Sequence, residues 1–315
     1  MELFGNNFLD VRNKHIFPLV GYGIPKEKCK FWSLKDTITN KIVSLAKLNG
    51  KSVEIEVRKD DYYKSLHCDI ELFMNKSTIQ YSDFIKSGKS SPSWSLVTLY
   101  YLAFFANTCF FRFLSKGFVF LSAEQKNRIE KFSITVNSSP ISLDSGNYFF
   151  SYKGESLSGN IILTLSSKGE GLHRLNWLQL ESTLRDFLPN CDTDEKTIYS
   201  LFLNNFSNFK TEFPSNIRNK LNYNGESSIL DINDNLPRIN FNDINNNFYK
   251  GLSKIGNEAT TDNQMNGLAY LASFLFEFNN RLYGEYLERS SYGNDFYNER
   301  VKYLKLNNIT VHNFP

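Results

Sequence analysis

Side chains able to hold an anion gather in one short stretch, Lys168, Gly169, Gly171, His173 and Arg174. Gly169-x-Gly171 follows the β-prone run Ile161 to Leu165 and precedes a helical spacing that begins near Leu172. Backbone amides at a helix start, next to cations, are a setting in which phosphate binds. His173 could move a proton there and Arg174 could offset phosphate charge, so an RNA- or nucleotide-directed enzyme is one reading of the stretch. A plain strand-to-helix turn accounts for the same glycines, and both readings stay open.

Other constellations are weaker. The four histidines, His15, His67, His173 and His312, restrict any histidine-based metal site or triad. No His-Glu-x-x-His, Cys-x-x-Cys, Gly-x-x-x-x-Gly-Lys-Ser/Thr or Gly-x-Ser-x-Gly occurs, the spacings that hold zinc, nucleotide phosphate or a nucleophilic serine. Asp231, Asn233 and Asn235 match the first ligands of a calcium loop, and Asp243, Asn245 and Asn247 repeat them. Leu236 and Phe248 stand where the turn glycine belongs, however, and Asn242 and Lys254 where a bidentate Glu must close the shell. Glu54, Glu56, Arg58 and Lys59 could converge on magnesium in a nuclease, but their alternation with Val53, Ile55 and Val57 reads as the solvent face of a half-buried strand. Neither a metal nor a cofactor is expected.

Near the C-terminus, aromatic and basic residues interleave: Arg281, Tyr283, Tyr286, Arg289, Tyr292, Tyr297, Arg300 and Tyr303. Such a face could stack bases or meet a partner protein, which makes Arg281, Tyr283, Arg289 and Arg300 candidate interaction residues. An amphipathic helix that packs its tyrosines and exposes its arginines produces the same letters.

The elements that must position these residues draw on 315 residues, 41% of them hydrophobic, which excludes disorder and fibrous repeats. Net charge is only +3, so any nucleic-acid contact must be local. Cys29, Cys68, Cys109 and Cys191 have neither metal-knuckle nor redox spacing and read as buried thiols of a cytoplasmic protein. The start, MELFGNNFLD, lacks the basic end and apolar run of a signal peptide, so export is not expected. Trp94 to Leu114 is long enough to span a bilayer, yet Ser95, Thr98, Asn107 and Thr108 punctuate it and basic residues flank both ends. A helix apolar all round belongs in lipid or in a core, and the core is the expectation.

Pro18, Gly21, Gly23 and Pro25 make the opening thirty residues read as an irregular lead-in, after which periodicity predicts a helix over 33–48, a strand over 52–59, a helix over 60–86 with a break near 75–77, and the central helix from Pro92 to its closure at Gly117. Four β-prone runs follow at 118–121, 132–136, 148–152 and 161–165. Helices are predicted again from 172, 194, 262 and 294, with an Asn-rich loop at 231–247. The expected fold is α+β, predominantly helical, with a small antiparallel β insertion around residues 118–166. Three regions are expected: an α/β stretch 1–88, the central helix with the small sheet 89–190, and a helical stretch 191–315.

The central stretch, with Pro92, Trp94, Tyr100-Tyr101, Ala103-Phe104-Phe105-Ala106 and closing Lys116-Gly117, resembles the long aromatic helix of HEPN-type helical proteins of prokaryotic toxin–antitoxin and antiviral defence systems. Ribonucleases of that family use Arg-x(4–6)-His, with histidine in acid–base chemistry and arginine on phosphate. This chain departs from the pattern. Its nearest forward pairs are Arg12 with His15, Arg58 with His67 and Arg300 with His312, and Arg112 meets no histidine before His173. No active-site residue carries over, so the resemblance implies a non-catalytic binding or regulatory subunit. Its partners would be another protein subunit, RNA or DNA, or a second copy of the chain, and not a membrane; the atypical enzyme near His173 and Arg174 is the alternative.

Overall fold

The computed structural model describes residues 4–22, 33–48, 52–87, 92–137, 141–169, 171–223, 239–291 and 293–309. It is a predominantly helical α+β fold with one five-stranded antiparallel sheet. The chain opens with α1 (Asn6–Val11), a π-turn (Arg12–Ile16) and α2 (Phe17–Tyr22), followed by α3 (Leu34–Asn40), β1 (Ile42–Lys47) and β2 (Ser52–Val57). The long helices α4 (Lys59–Ser87) and α5 (Pro92–Phe113) come next, then β3 (Lys116–Leu121), α6 (Ala123–Asn137), β4 (Gly146–Glu155) and β5 (Ile161–Gly169). The remainder is helical: α7 (Leu172–Phe187), α8 (Thr193–Phe209), α9 (Phe213–Tyr223), α10 (Phe241–Asn246), α11 (Phe248–Leu252), α12 (Thr261–Arg289) and α13 (Gly293–Leu306).

Helix α5 is long and apolar enough to cross a membrane by length and composition, and most of it is buried inside the protein. It packs against α4 and α12, and Leu99, Tyr100, Leu102, Ala103, Ala106 and Cys109 have no accessible surface. The polar residues that interrupt it have partners. Asn107 Nδ2 donates to the Asn176 carbonyl at 3.1 Å, and Asn279 Nδ2 on α12 donates to the Ala106 carbonyl at 2.7 Å. Both bonds turn amides that would be costly to bury into interhelical ties. Edge-to-face contacts of Phe278 with Phe110 at 5.1 Å and with Phe8 at 5.3 Å carry the same core to the N-terminal helix.

The sheet runs β1-β2-β5-β4-β3. Residues 42–57 therefore share a sheet with residues 116–169, through the pairing of Val53 with Leu165 and of Ile55 with Leu163. Val53, Ile55, Val57, Ile161, Leu163, Leu165, Tyr148 and Phe150 form its buried face. Helix α6 touches β1 and β3, the two edge strands, so it lies across the sheet, with α3 beside it on β1 and β2. The hydrophobic core is continuous from Phe4 to Leu287 and draws on all three expected regions.

Four expected elements differ. The helix predicted over 33–48 stops at Asn40, and the rest is strand β1, because pairing with β2 outweighs the helical spacing of Ile42, Leu45 and Leu48. The helix predicted to break near Asn75 runs unbroken as α4. The β-prone run 132–136 lies in helix α6. There the Ser122 amide donates to Gln125 Oε1 at 3.0 Å and the Gln125 amide to Ser122 Oγ at 3.4 Å, a reciprocal helix-start cap. Residues 6–22, expected to be irregular, are helical, and their π-turn precedes Pro18, which has no N–H to continue the ladder.

Candidate functional site

Two adjacent tyrosines on α5 organise the site. Tyr100 points inward, and its hydroxyl lies 2.7 Å from Nδ1 of His173 at the start of α7. Burial pushes this phenol up to about 12, so it is neutral throughout the physiological range. Tyr101, half-buried, accepts from Nη2 of Arg218 on α9 at 3.4 Å.

The entry into α7 needs its two glycines. Gly169 and Gly171 both have left-handed backbones, with φ of 72° and 84°, which lets β5 turn into the helix within a few residues. That turn sets His173, half-buried, against the Phe104 ring at a centroid distance of 4.6 Å. Burial first, and the positive charge of Arg218 second, lower its pKa, so the imidazole is neutral at pH 7. With Nδ1 engaged by Tyr100, the tautomer decides the role of Nε2: a donor to an anion when Tyr100 donates, a base when Nδ1 donates. No protein partner holds Nε2 among the described residues.

Of the candidate anion-binding residues, Gly171, His173 and Arg174 share the α7 start, with exposed Arg174 pairing with Glu212 at 4.0 Å. Lys168 and Gly169 sit on the exposed end of β5, where the Lys168 ammonium lies 6.0 Å from the Phe149 ring. Arg218 completes the group and was not among the sequence candidates. It lies in an Asn-rich stretch without a motif, and only the packing of α9 on α5 and α7 brings it to His173.

Beside Tyr101 opens a cleft of about 510 Å³ between the end of α4 and the start of α5. Gln80, Asp83 and Lys86 of α4 face Trp94, Val97, Thr98 and Tyr101 of α5 across it.

The C-terminal interaction candidates divide. Arg281 and Arg289 are exposed, pair with Glu277 and Glu285, and lie over the Phe4 and Phe17 rings. Tyr283 and Arg300 are instead core residues, which corrects their reading as part of a contact face. Arg300 donates to Asn75 Oδ1 at 2.7 Å and Thr78 Oγ1 at 3.1 Å on α4, and its guanidinium covers the Tyr283 ring at 5.1 Å. Arg300 turns inward to its bonds with α4, and Tyr283 turns inward on α12, which packs against α5 and α4.

The remaining motifs are structural. Glu56 accepts from Ser156 at 2.5 Å, Ser44 at 2.6 Å, and Asn160 and Ser158 at 3.0 Å, and these bonds hold its carboxyl down to about 2. Glu54 pairs with Lys153, and Lys59 with Glu155 at 2.7 Å. Asp243, Asn245 and Asn247 fall in and just after helix α10, where Asn245 accepts from Ser273 at 2.7 Å. Asp231, Asn233 and Asn235, along with Cys29 and His312, lie outside the described residues. The described residues hold no group of three His, Cys, Asp or Glu side chains placed to share a metal ion.

In comparisons with known proteins, no family model, curated protein or solved structure matches this chain.

Proposed function

We propose that the chain is a non-catalytic binding or regulatory subunit of a prokaryotic antiviral-defence or toxin–antitoxin-type system, working in the cytoplasm beside another protein subunit and engaging single-stranded RNA. The observation that carries the RNA contact is Arg218 held on Tyr101 at the edge of the aromatic cleft, next to His173 and Arg174. Cations that track phosphates beside aromatic rings that stack bases are how unpaired strands are gripped. The net charge of +3 suits a local grip of this kind better than a broad electrostatic footprint. The defence assignment rests on the resemblance of α5 to the HEPN-type helix.

A second reading, an RNA-directed enzyme, draws on the neutral His173 with its oriented Nδ1 and on the nearby Arg218, groups suited to proton transfer and phosphate stabilisation. One experiment separates the two. Labelled single-stranded RNA is titrated with wild type, Arg218→Ala and His173→Ala, all checked for folding by circular dichroism, and the RNA is then run on a denaturing gel. The binding reading expects saturable binding with intact RNA, and Arg218→Ala should weaken it several-fold and flatten its salt dependence by about one phosphate contact. RNA shortened by wild type and spared by His173→Ala would establish the enzyme instead. No RNA binding, or binding unchanged in Arg218→Ala, would overturn both.

A further inference from the structure

We propose that the cleft between α4 and α5 is a base pocket selective for guanine, presented either within an unpaired RNA strand or as a free guanine nucleotide; the strand form rests on the RNA-binding reading above.

The two walls are helical stripes. Gln80, Asp83 and Lys86 recur every third residue, so they line one side of the last turns of α4. Trp94, Val97, Thr98 and Tyr101 follow the i, i+3, i+4, i+7 rule on α5 opposite. The chemistry of the second wall is a platform. The Trp94 indole is 62% exposed, whereas Val97 is buried as the floor and the Thr98 hydroxyl is already spent on the Trp94 carbonyl at 3.0 Å. An indole open to solvent at the mouth of a cleft offers a stacking face for a planar heterocycle.

The first wall supplies the selectivity. The Asp83 carboxylate and the Gln80 amide are without a hydrogen-bond or ion-pair partner among the described residues. An ionised carboxylate only accepts, through two oxygens. Guanine offers two adjacent donors, N1–H and the N2 amino group, that match it. Adenine and cytosine set one donor beside a lone pair, and uracil sets one donor between two carbonyls, so each brings an acceptor against Asp83. Gln80, one turn earlier, can donate its amide N–H to O6 of the same base. Lys86, one turn later, donates to the Asn308 carbonyl and has further ammonium protons for a phosphate.

A cationic side chain is the obvious competitor for an aromatic cleft that holds a carboxylate. The surrounding charge disfavours it: Lys86 lies on one wall, and Arg218 is bonded to Tyr101 on the other. Those same cations favour a ligand that carries phosphate.

The test uses the full chain. GMP, AMP, CMP and UMP are titrated by calorimetry, and single-stranded oligoribonucleotides with one guanine or one adenine in a uridine tract are titrated by anisotropy. Wild type should prefer GMP over AMP, and the guanine oligonucleotide over the adenine one, by tenfold or more. Asp83→Asn should abolish that preference, and Trp94→Leu should weaken every ligand at least fivefold, each with an unchanged melting temperature because both residues are on the surface. Equal binding of all four nucleotides, no binding of any, or a preference that survives Asp83→Asn overturns the pocket. The two proposals fail separately. RNA bound through Arg218 without base preference sinks the pocket alone, whereas GMP bound selectively with no RNA binding sinks the RNA reading and leaves a nucleotide pocket.

Discussion

Gly117 and Arg112 occupy space that a single additional carbon would make impossible to share. A Cβ on Gly117 would fall on Nη1 of Arg112, and the glycine has a φ of 146° besides. Arg112 has no slack, since Nε donates to Asp69 at 2.9 Å while Nη1 and Nη2 donate to the carbonyls of Lys116 at 3.2 Å and Phe118 at 3.1 Å. The left-handed turn that ends α5 is taken by Ser115, at φ 53°, so the glycine serves the arginine rather than the helix end. Gly117→Ala must both strain the backbone and displace a buried guanidinium, and it should cost at least about 2 kcal/mol. A fall in the urea midpoint that, multiplied by an unchanged slope, gives a loss of that size checks it.

Glu195 on α8 caps a helix to which it does not belong. Fully buried, it accepts from the amides of Gly5 at 2.8 Å, Asn7 at 3.0 Å and Phe8 at 3.3 Å, the open donors at the start of α1. Glu195→Gln turns an amide N–H toward those donors and should cost about 2 kcal/mol. Limited proteolysis should then cut within residues 4–22 at protease levels that leave wild type intact.

Acid should destabilise the protein in two windows. Burial, with Lys116 and Lys14 adding to it, lowers His15 from 6.5 to about 4. The unfolded chain therefore takes up this proton before the folded one, so stability is full above pH 6.5 and falls as pH drops to about 4. Glu56, held at about 2, gives a stabilisation present above pH 4.5 that is lost on going down toward pH 2. Thermal melts should lose several degrees between pH 7.5 and 4.5, and His15→Gln should remove most of that loss while sparing the lower window.

Arg300 and Arg289 look alike in the sequence and should behave oppositely. Arg300→Ala strands Asn75 and Thr78 and uncovers Tyr283 in the core, at about 2–4 kcal/mol. Arg289 is exposed, and its replacement by Ala should stay within about 0.5 kcal/mol. Paired melts of the two variants decide whether both lie where the fold puts them.

Local signals made several elements legible. Pro92 at the start of α5, Asp192 capping α8 through the Glu195 amide at 2.9 Å, and the apolar period of α12 each have a residue-level cause. The alternation of Val53, Ile55 and Val57 marked β2, yet its neighbour β1 was hidden by a spacing that fits a helix equally well and is settled by a partner strand. For α6 the signal was present, Ser122 and Gln125, and the β-propensity of Phe132 to Val136 masked it. At the site, His173 with its glycines was visible as a cluster. Arg218 and the Gln80–Asp83 wall were not, because no spacing along the chain encodes which helices meet.

The burial of α5 also sets a problem of timing. Helix α4, made before it, covers one side, but another side is closed by α12, which begins at Thr261, and β2 waits for β5 at Ile161. At about 5–20 residues per second, the stretch from the end of α5 to the start of α12 takes on the order of 10 s to synthesise. Through that interval the nascent chain carries a twenty-two-residue helix of membrane-like character with one side uncovered. Folding of this chain therefore leaves one apolar helix to be shielded from aggregation until α12, at about the last sixth of the 315 residues, arrives.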